Sequence, residues 1–163
     1  MSSKTERPYK MVVFAGTFDH LHEGHRHLLR TALALGDTVG IGITKDVMLE
    51  GKSDRHKMQS FSERLEALNQ FLSAEGANHR CQIFPIDTPE GGADRMQGLE
   101  ALVVSDELSV VENAFRINEL RRRNRLRPFH IVVVPRVRTS DGRPLSSSRR
   151  RAGEDFDPTD LVY

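Results

Sequence analysis

The densest chemistry in this chain lies in Gly16-Thr17-Phe18-Asp19-His20-Leu21-His22-Glu23-Gly24-His25. His22 and His25 are three residues apart, so at the start of a helix both side chains can face one point. Each imidazole can donate a hydrogen bond to a phosphate oxygen, more strongly when protonated. Gly16 is expected to turn the chain sharply off a strand, and Gly24 to let backbone approach a ligand. The unpaired N–H groups of a first helical turn, and the helix dipole, favour an anion at that place. The loop therefore reads as a cradle for a triphosphate. Zinc ligation by His20, His22, His25 and His27 is the rival reading, but structural zinc sites usually add cysteines or carboxylates. His20 and His27 are expected to be bystanders. Asp19 is expected to cap the helix or fix the loop.

A second donor cluster sits near the other end. Ser146, Ser147 and Ser148 follow the turn Asp141-Gly142-Arg143-Pro144. Hydroxyls and N–H groups at a helix N-terminus suit phosphate oxygens. Arg151, one turn further on, can reach the β- and γ-phosphates. Standing alone, this run would read as a serine N-cap with a solvated basic tail. Lys52 lies in the polar loop 50–57, with Lys45 and Lys57 nearby. Two familiar phosphate motifs fail here. Gly51-Lys52-Ser53 resembles the end of a P-loop, but Asp46 stands where its first glycine belongs. Gly40-Ile41-Gly42 opens a dinucleotide fingerprint, but Lys45 replaces its third glycine.

These residues need a frame. Residues 11–14 form an apolar run that reads as a buried strand, followed by helical spacing at Leu28, Leu29, Ala32 and Leu35. Gly36-Asp37 is expected to close that helix. Residues 38–44 read as a second strand, and residues 62–72 as a helix with Leu65, Leu68, Phe71 and Leu72 on one face. Further strands are expected at 81–86, 101–104 and 131–134. A helix at 110–123 should bury Val111, Ala114, Phe115, Ile117 and Leu120, and residues 146–151 can open a last helix. Arg64 can reach the site from its helix but reads more readily as an exposed residue, and the basic run from Arg121 to Arg127 reads as a solvated helix end. Short apolar strands alternating with helices predict an α/β fold with one doubly wound parallel sheet of five strands. In such sheets ligands bind beyond the carboxyl ends of the strands. The chemistry should then sit in the loops after the first and fifth strands.

The 163 residues suit one domain: a lead-in at 1–10, a folded domain at 11–154 and a tail at 155–163. A 37% hydrophobic share with 29% charged residues fits a globular protein and excludes a disordered one. No stretch nears the roughly 20 apolar residues that span a bilayer. The polar first ten residues lack the apolar core of a secretory signal. With a single cysteine, Cys81, no intrachain disulfide can form. A cytoplasmic location is expected. Arginine clusters raise nucleic-acid binding as a separate class, but 6% aromatic content and the lack of a recognition motif argue against it.

Gly-Thr-Phe-Asp followed by His-x-Gly-His resembles the first signature of the HxGH nucleotidyltransferase superfamily. Leu145-Ser146-Ser147-Ser148-Arg149-Arg150-Arg151 resembles its second, Ile-Ser-Ser-Thr-x-Ile-Arg. Within the superfamily the chain is most similar to phosphopantetheine adenylyltransferases of the archaeal and eukaryotic type. That similarity is carried by Val103-Val104-Ser105-Asp106-Glu107, Ile117-Asn118-Glu119-Leu120-Arg121 and Ile131-Val132-Val133-Val134-Pro135, and it covers residues 11–154. Leu108 stands where a threonine is expected, and Arg150 where the second signature has an aliphatic residue.

The resemblance implies a Rossmann-like nucleotidyltransferase fold. It also implies transfer of an adenylyl group from ATP to 4'-phosphopantetheine, with magnesium bound to the ATP. It places Thr17, Phe18, His22, His25, Ser146, Ser147, Ser148 and Arg151 around ATP, and Thr17 and Lys52 at the acceptor phosphate. His25 and Lys52 become the catalytic pair. An acceptor phosphate is already an anion at neutral pH and needs no general base. Glycerol phosphate, choline phosphate, FMN and nicotinamide mononucleotide remain alternative acceptors, since those enzymes share both signatures.

Overall fold

The computed structural model describes residues 6–52 and 54–163. Five parallel strands make the central sheet: β1 (Tyr9–Gly16), β2 (Gly36–Thr44), β3 (Cys81–Ile86), β4 (Ala101–Ser105) and β5 (His130–Val134). Their order across the sheet is β3-β2-β1-β4-β5. Four helices accompany them: α1 (Glu23–Leu35), α2 (Phe61–Ala74), α3 (Leu108–Arg123) and the short α4 (Ser147–Arg151). The expected sheet is thus present. The lead-in expected at 1–10 partly joins it, since Tyr9 and Lys10 are in β1, while residues 1–5 lie outside the described residues.

Alternation along the strands builds two cores from one sheet. Val12, Phe14, Ala101 and Val103 face α1 and α2, where Leu29, Ala32, Leu68 and Leu72 are buried. Val13, Leu102 and Val104 point the other way, onto Ala114 and Ile117 of α3 and onto Phe129. Successive strand side chains alternate faces, so both faces need apolar residues and the run 12–14 is continuous. Strand order reverses between β1 and β4, which opens a crevice beyond Gly16 and Ser105.

Several boundaries differ from the sequence expectation for local reasons. Gly36 does not close α1 with a turn; it is the first residue of β2. A Cβ there would come within 2.7 Å of Val12 Cγ2, so the direct passage from helix to strand requires the missing side chain. Helix α2 starts earlier than expected because Ser60 and Glu63 form a reciprocal capping box. Phe115, expected on the buried side of α3, is 65% exposed. Arg121, expected to be solvated, is 1% exposed. It donates to the carbonyls of Ala93, Met96 and Arg127, so it fastens the loop before β4 to α3. Residues 155–163 return across the surface. Leu161–Val162 (β7) pairs antiparallel with Arg138–Thr139 (β6), and Tyr163 meets the edge of His27.

Candidate active site

The loop between β1 and α1 turns where the sequence reading did not place the turn. Gly16 is still within β1. The left-handed conformation falls instead on Phe18 (φ 57°) and His20 (φ 46°), which is uncommon for side chains of this size. Packing and hydrogen bonds hold it there. The Phe18 ring is fully buried, edge-on to Phe14 and 5.7 Å from His25. The His20 N–H donates to Gln59 Oε1, and its ring pairs with the Lys57 carbonyl at 2.9 Å. Of the two roles open to Phe18, contact with the nucleotide that the resemblance implies or core packing, its burial gives the second, and its contribution to the loop is its backbone.

His22 is the N-cap of α1. Its Nδ1 accepts from the Gly24 N–H at 3.0 Å, and His25 Nδ1 accepts from the His22 N–H at 3.1 Å. Both rings thus use Nδ1 as an acceptor, which in the neutral imidazole leaves the proton on Nε2. His22 Nε2 is buried and has no partner in the structure. Burial lowers the His22 pKa to about 4, assisted by the charges of Arg150 and Arg26. His25 keeps some surface in the cleft, yet the protein packed round it also pushes its pKa well below 6.5, with His22 and Arg26 adding to the effect. The lowered values favour neutral imidazoles at pH 7, so the stronger donation open to a protonated ring is not the one used here. The role expected of Gly24 changes too. A Cβ there would lie 2.8 Å from His22 Cε1, so the glycine makes room for the capping ring.

The two sequence clusters meet through Asp19. Its side chain is wholly buried, accepts from the Gln59 N–H at 2.8 Å and pairs with Arg151 at 2.7 Å. Ser147 Oγ donates to the Asp19 carbonyl at 2.7 Å. Arg151 also donates to Ser148 Oγ at 3.2 Å. The guanidinium expected to reach out to phosphates is thus held by a carboxylate at the edge of the cleft. Helix α4 forms despite Arg150, whose guanidinium lies over the Phe156 ring, away from the cleft. Phe156 in turn sits edge-on to His22, at 5.7 Å between ring centres.

Arg64 is a larger correction. Read as exposed, it is 0% exposed. It donates to the carbonyls of Thr17 and Thr44 at 2.9 and 2.8 Å, and to Asp46 Oδ1 at 2.9 Å. It therefore fixes the ends of β1 and β2 against each other, and Thr44 Oγ1 donates to Thr17 Oγ1 beside it. The capping box before it marks a helix start, but no local sequence signal tells where a long side chain one turn in will go.

Two cavities open at the switch point. One, of about 340 Å³, is lined by Thr17, Asp19, His22, Gly24, His25, Lys52, Ser146, Ser147, Ser148 and Arg151, with Ser105, Glu107 and Arg136 opposite. It thus gathers every expected site residue except Phe18. The other, of about 520 Å³, has walls of Phe14, Met48, Phe84, Ile86, Leu102 and Val110, with Thr44, Glu90 and Asn113 among its polar groups. Thr17, His25, Ser105 and Glu107 line both. His20 and His27 face Lys57 and Tyr163 rather than this junction.

A parallel α/β sheet with a phosphate-type cleft joined to an apolar one, and HxGH on the first helix, defines a nucleotidyltransferase. The cytidylyltransferase-like family model matches residues 13–153. The phosphopantetheine adenylyltransferase of Methanopyrus kandleri is 43% identical over 92% of this chain and 94% of its own. That of Thermococcus gammatolerans is 40% identical over 90% and 91%. The chain belongs to the phosphopantetheine adenylyltransferases of the cytidylyltransferase-like family. Among solved structures, an Archaeoglobus fulgidus protein of unknown function matches with 31% identity and a TM-score of 0.67, covering 76% of this chain and 88% of that one. Pantoate-beta-alanine ligase of Francisella tularensis shares the fold, with a TM-score of 0.60 at 17% identity over 86% of this chain and 65% of its own.

Proposed function

We propose that this protein transfers the adenylyl group of ATP to 4'-phosphopantetheine in the cytoplasm, forming dephospho-coenzyme A and pyrophosphate. The observation that carries the reading is the junction of two unlike cavities at Thr17 and His25. The smaller, rich in hydroxyls and basic groups, suits the triphosphate. The larger, mostly apolar, suits an elongated acceptor such as the pantetheine arm, with Thr44 Oγ1, which donates to Thr17, still able to accept from one of its amides. The two phosphates that react would then meet at His25.

The reaction requires an oxygen of the acceptor phosphate to bond to the α-phosphorus while the bond to the bridging oxygen of pyrophosphate breaks. The nucleophile is already ionised, so the protein's work is alignment and stabilisation of charge. His25 donates from Nε2 to a phosphate oxygen and, being neutral, gives up no proton to it; His22, whose Nε2 is buried, fixes the start of α1 as its N-cap. Lys52 supplies a mobile positive charge from the rim, on the acceptor side. Ser146, Ser148 and the N–H groups at the start of α4 hold the outer phosphates, while Ser147 Oγ stays on the Asp19 carbonyl and docks the helix. Arg151 positions Ser148 and the β1–α1 loop through Asp19. Among the described residues the cleft is lined by two carboxylates, Asp19 and Glu107, and Asp19 is taken by Arg151 and Gln59. That would suit magnesium carried in as the metal–ATP substrate, which Glu107 would be the residue to meet. When bound, the ion neutralises phosphate charge.

Pyrophosphate release should be measured with ATP or CTP against 4'-phosphopantetheine, glycerol phosphate, choline phosphate, FMN and nicotinamide mononucleotide, with magnesium or EDTA. Activity confined to ATP, phosphopantetheine and magnesium is expected. Turnover with another acceptor and none with phosphopantetheine refutes the assignment.

A further inference from the structure

The smaller cavity has a shortage of free positive charge. Its histidines are neutral near pH 7, as their burial dictates. Arg151 is locked in a buried pair with Asp19. Among the lining residues, Lys52 and Arg136 are left to face a polyanion, and Lys52 stands on the rim. Arg136 follows β5 and lines the wall opposite the serine run. Its side chain is 30% exposed, with Nε donating to Asp106 Oδ1 at 2.7 Å. An arginine fixed by a carboxylate is ordinarily unavailable, because moving it strands the carboxylate. Asp106 differs: its other oxygen accepts from Arg138 NH2 at 3.2 Å, and its Oδ1 also accepts from the Arg136 N–H at 3.3 Å. The Arg136 side chain can leave while Asp106 keeps a cation and a backbone donor.

We infer that Arg136 is a phosphate-binding residue for the nucleotide, exchanging Asp106 for the triphosphate when ATP binds. Asp106 parks the guanidinium at the cavity wall, and Arg138 keeps Asp106 satisfied once it has gone. A planar guanidinium offers two parallel N–H donors in fixed geometry to two phosphate oxygens, where a lysine acts as a point charge. This inference rests on the nucleotide reading of the cleft given above.

The test is calorimetric binding of Mg-ATP to the parent protein, Arg136→Ala, Arg136→Lys and Arg138→Ala, with circular dichroism for folding and KM measured for each substrate. Arg136→Ala should raise the Kd for Mg-ATP about ten- to a hundredfold, the range for one hydrogen-bonded charge. Arg136→Lys should fall between it and the parent. Arg138→Ala leaves Asp106 only the Arg136 N–H once the guanidinium has gone, so it should raise the Kd too, but by less than Arg136→Ala does, and the acceptor KM should hardly move in any variant. Unchanged Mg-ATP affinity in folded Arg136→Ala overturns the inference and leaves the functional reading standing. A larger loss in Arg138→Ala than in Arg136→Ala overturns it, since Asp106 and its pairing, not the Arg136 guanidinium, would then be what the nucleotide requires. A parent protein that binds no Mg-ATP refutes the functional reading, and the inference with it.

Discussion

Asp19→Asn tests whether a single buried ion pair joins the two ends of the chain into one site. Asp19 is 0% exposed and the Arg151 side chain 4%. An asparagine can still accept from the Gln59 N–H, but its amide would face the Arg151 donor at the 2.7 Å contact. That leaves a guanidinium buried without its counter-charge. Removing one partner of a buried pair destabilises by about 3–5 kcal/mol. At roughly 2–4 °C per kcal/mol for a domain of this size, Tm should fall by about 6–20 °C. Helix α4 is five residues long and docks through Ser147 and Arg151, so the lesion should also raise KM for ATP. Adding Arg151→Met removes the stranded charge and should restore part of the lost stability, giving a coupling between the two sites. The assays are thermal melts by circular dichroism and pyrophosphate release with ATP varied. A Tm within 2 °C of the parent, by the roughly 2–4 °C per kcal/mol scale, together with normal ATP kinetics, would show that the pair does not organise the site.

Lys52→Ala should lose about a hundred- to a thousandfold in turnover and raise KM for the acceptor, with ATP affinity nearly intact. Lys45, ion-paired with Asp87 at the surface, is the control and should change little on substitution by alanine; an active Lys52→Ala beside an inactive Lys45→Ala would misplace the catalytic lysine. Lowered folded-state pKa values for His22 and His25 mean that the unfolded chain binds more protons between pH 4 and 6.5. Stability is then fully present above pH 6.5 and lost as pH falls through that window, by on the order of 3 kcal/mol for His22 alone. Urea midpoints in His22→Gln should be flatter with pH than in the parent, and parallel profiles would contradict the buried, neutral histidine. Phe156→Ala should hydrate the His22 ring and raise its pKa in NMR titration, with a modest fall in kcat; an unmoved pKa would deny the tail any part in setting His22.

Much of the site was legible in the linear order because its donors come in short clusters. His22 and His25 share one helical turn, the serines another, and local capping makes both geometries nearly independent of the rest of the fold. The parallel sheet was legible for a similar reason: strands buried on two faces read as unbroken apolar runs. What the linear order could not carry was where long polar side chains end. Arg64, Arg121 and Arg151 look alike in composition to Arg122 and Arg123, yet the first three are buried and bound to carbonyls or a carboxylate while the last two are solvated. Each depends on partners far along the chain, Arg64 on Thr44 and Asp46, Arg121 on Ala93 and Arg151 on Asp19, which only tertiary packing brings within 3 Å. The charge state of the histidines was hidden too, because it follows from desolvation by neighbours remote in sequence. Residue types and spacing determined which groups could bind phosphate. Burial decided that the histidines are neutral, that Phe18 and Arg64 are structural, and that Asp19 ties residue 151 to the loop that starts the chemistry.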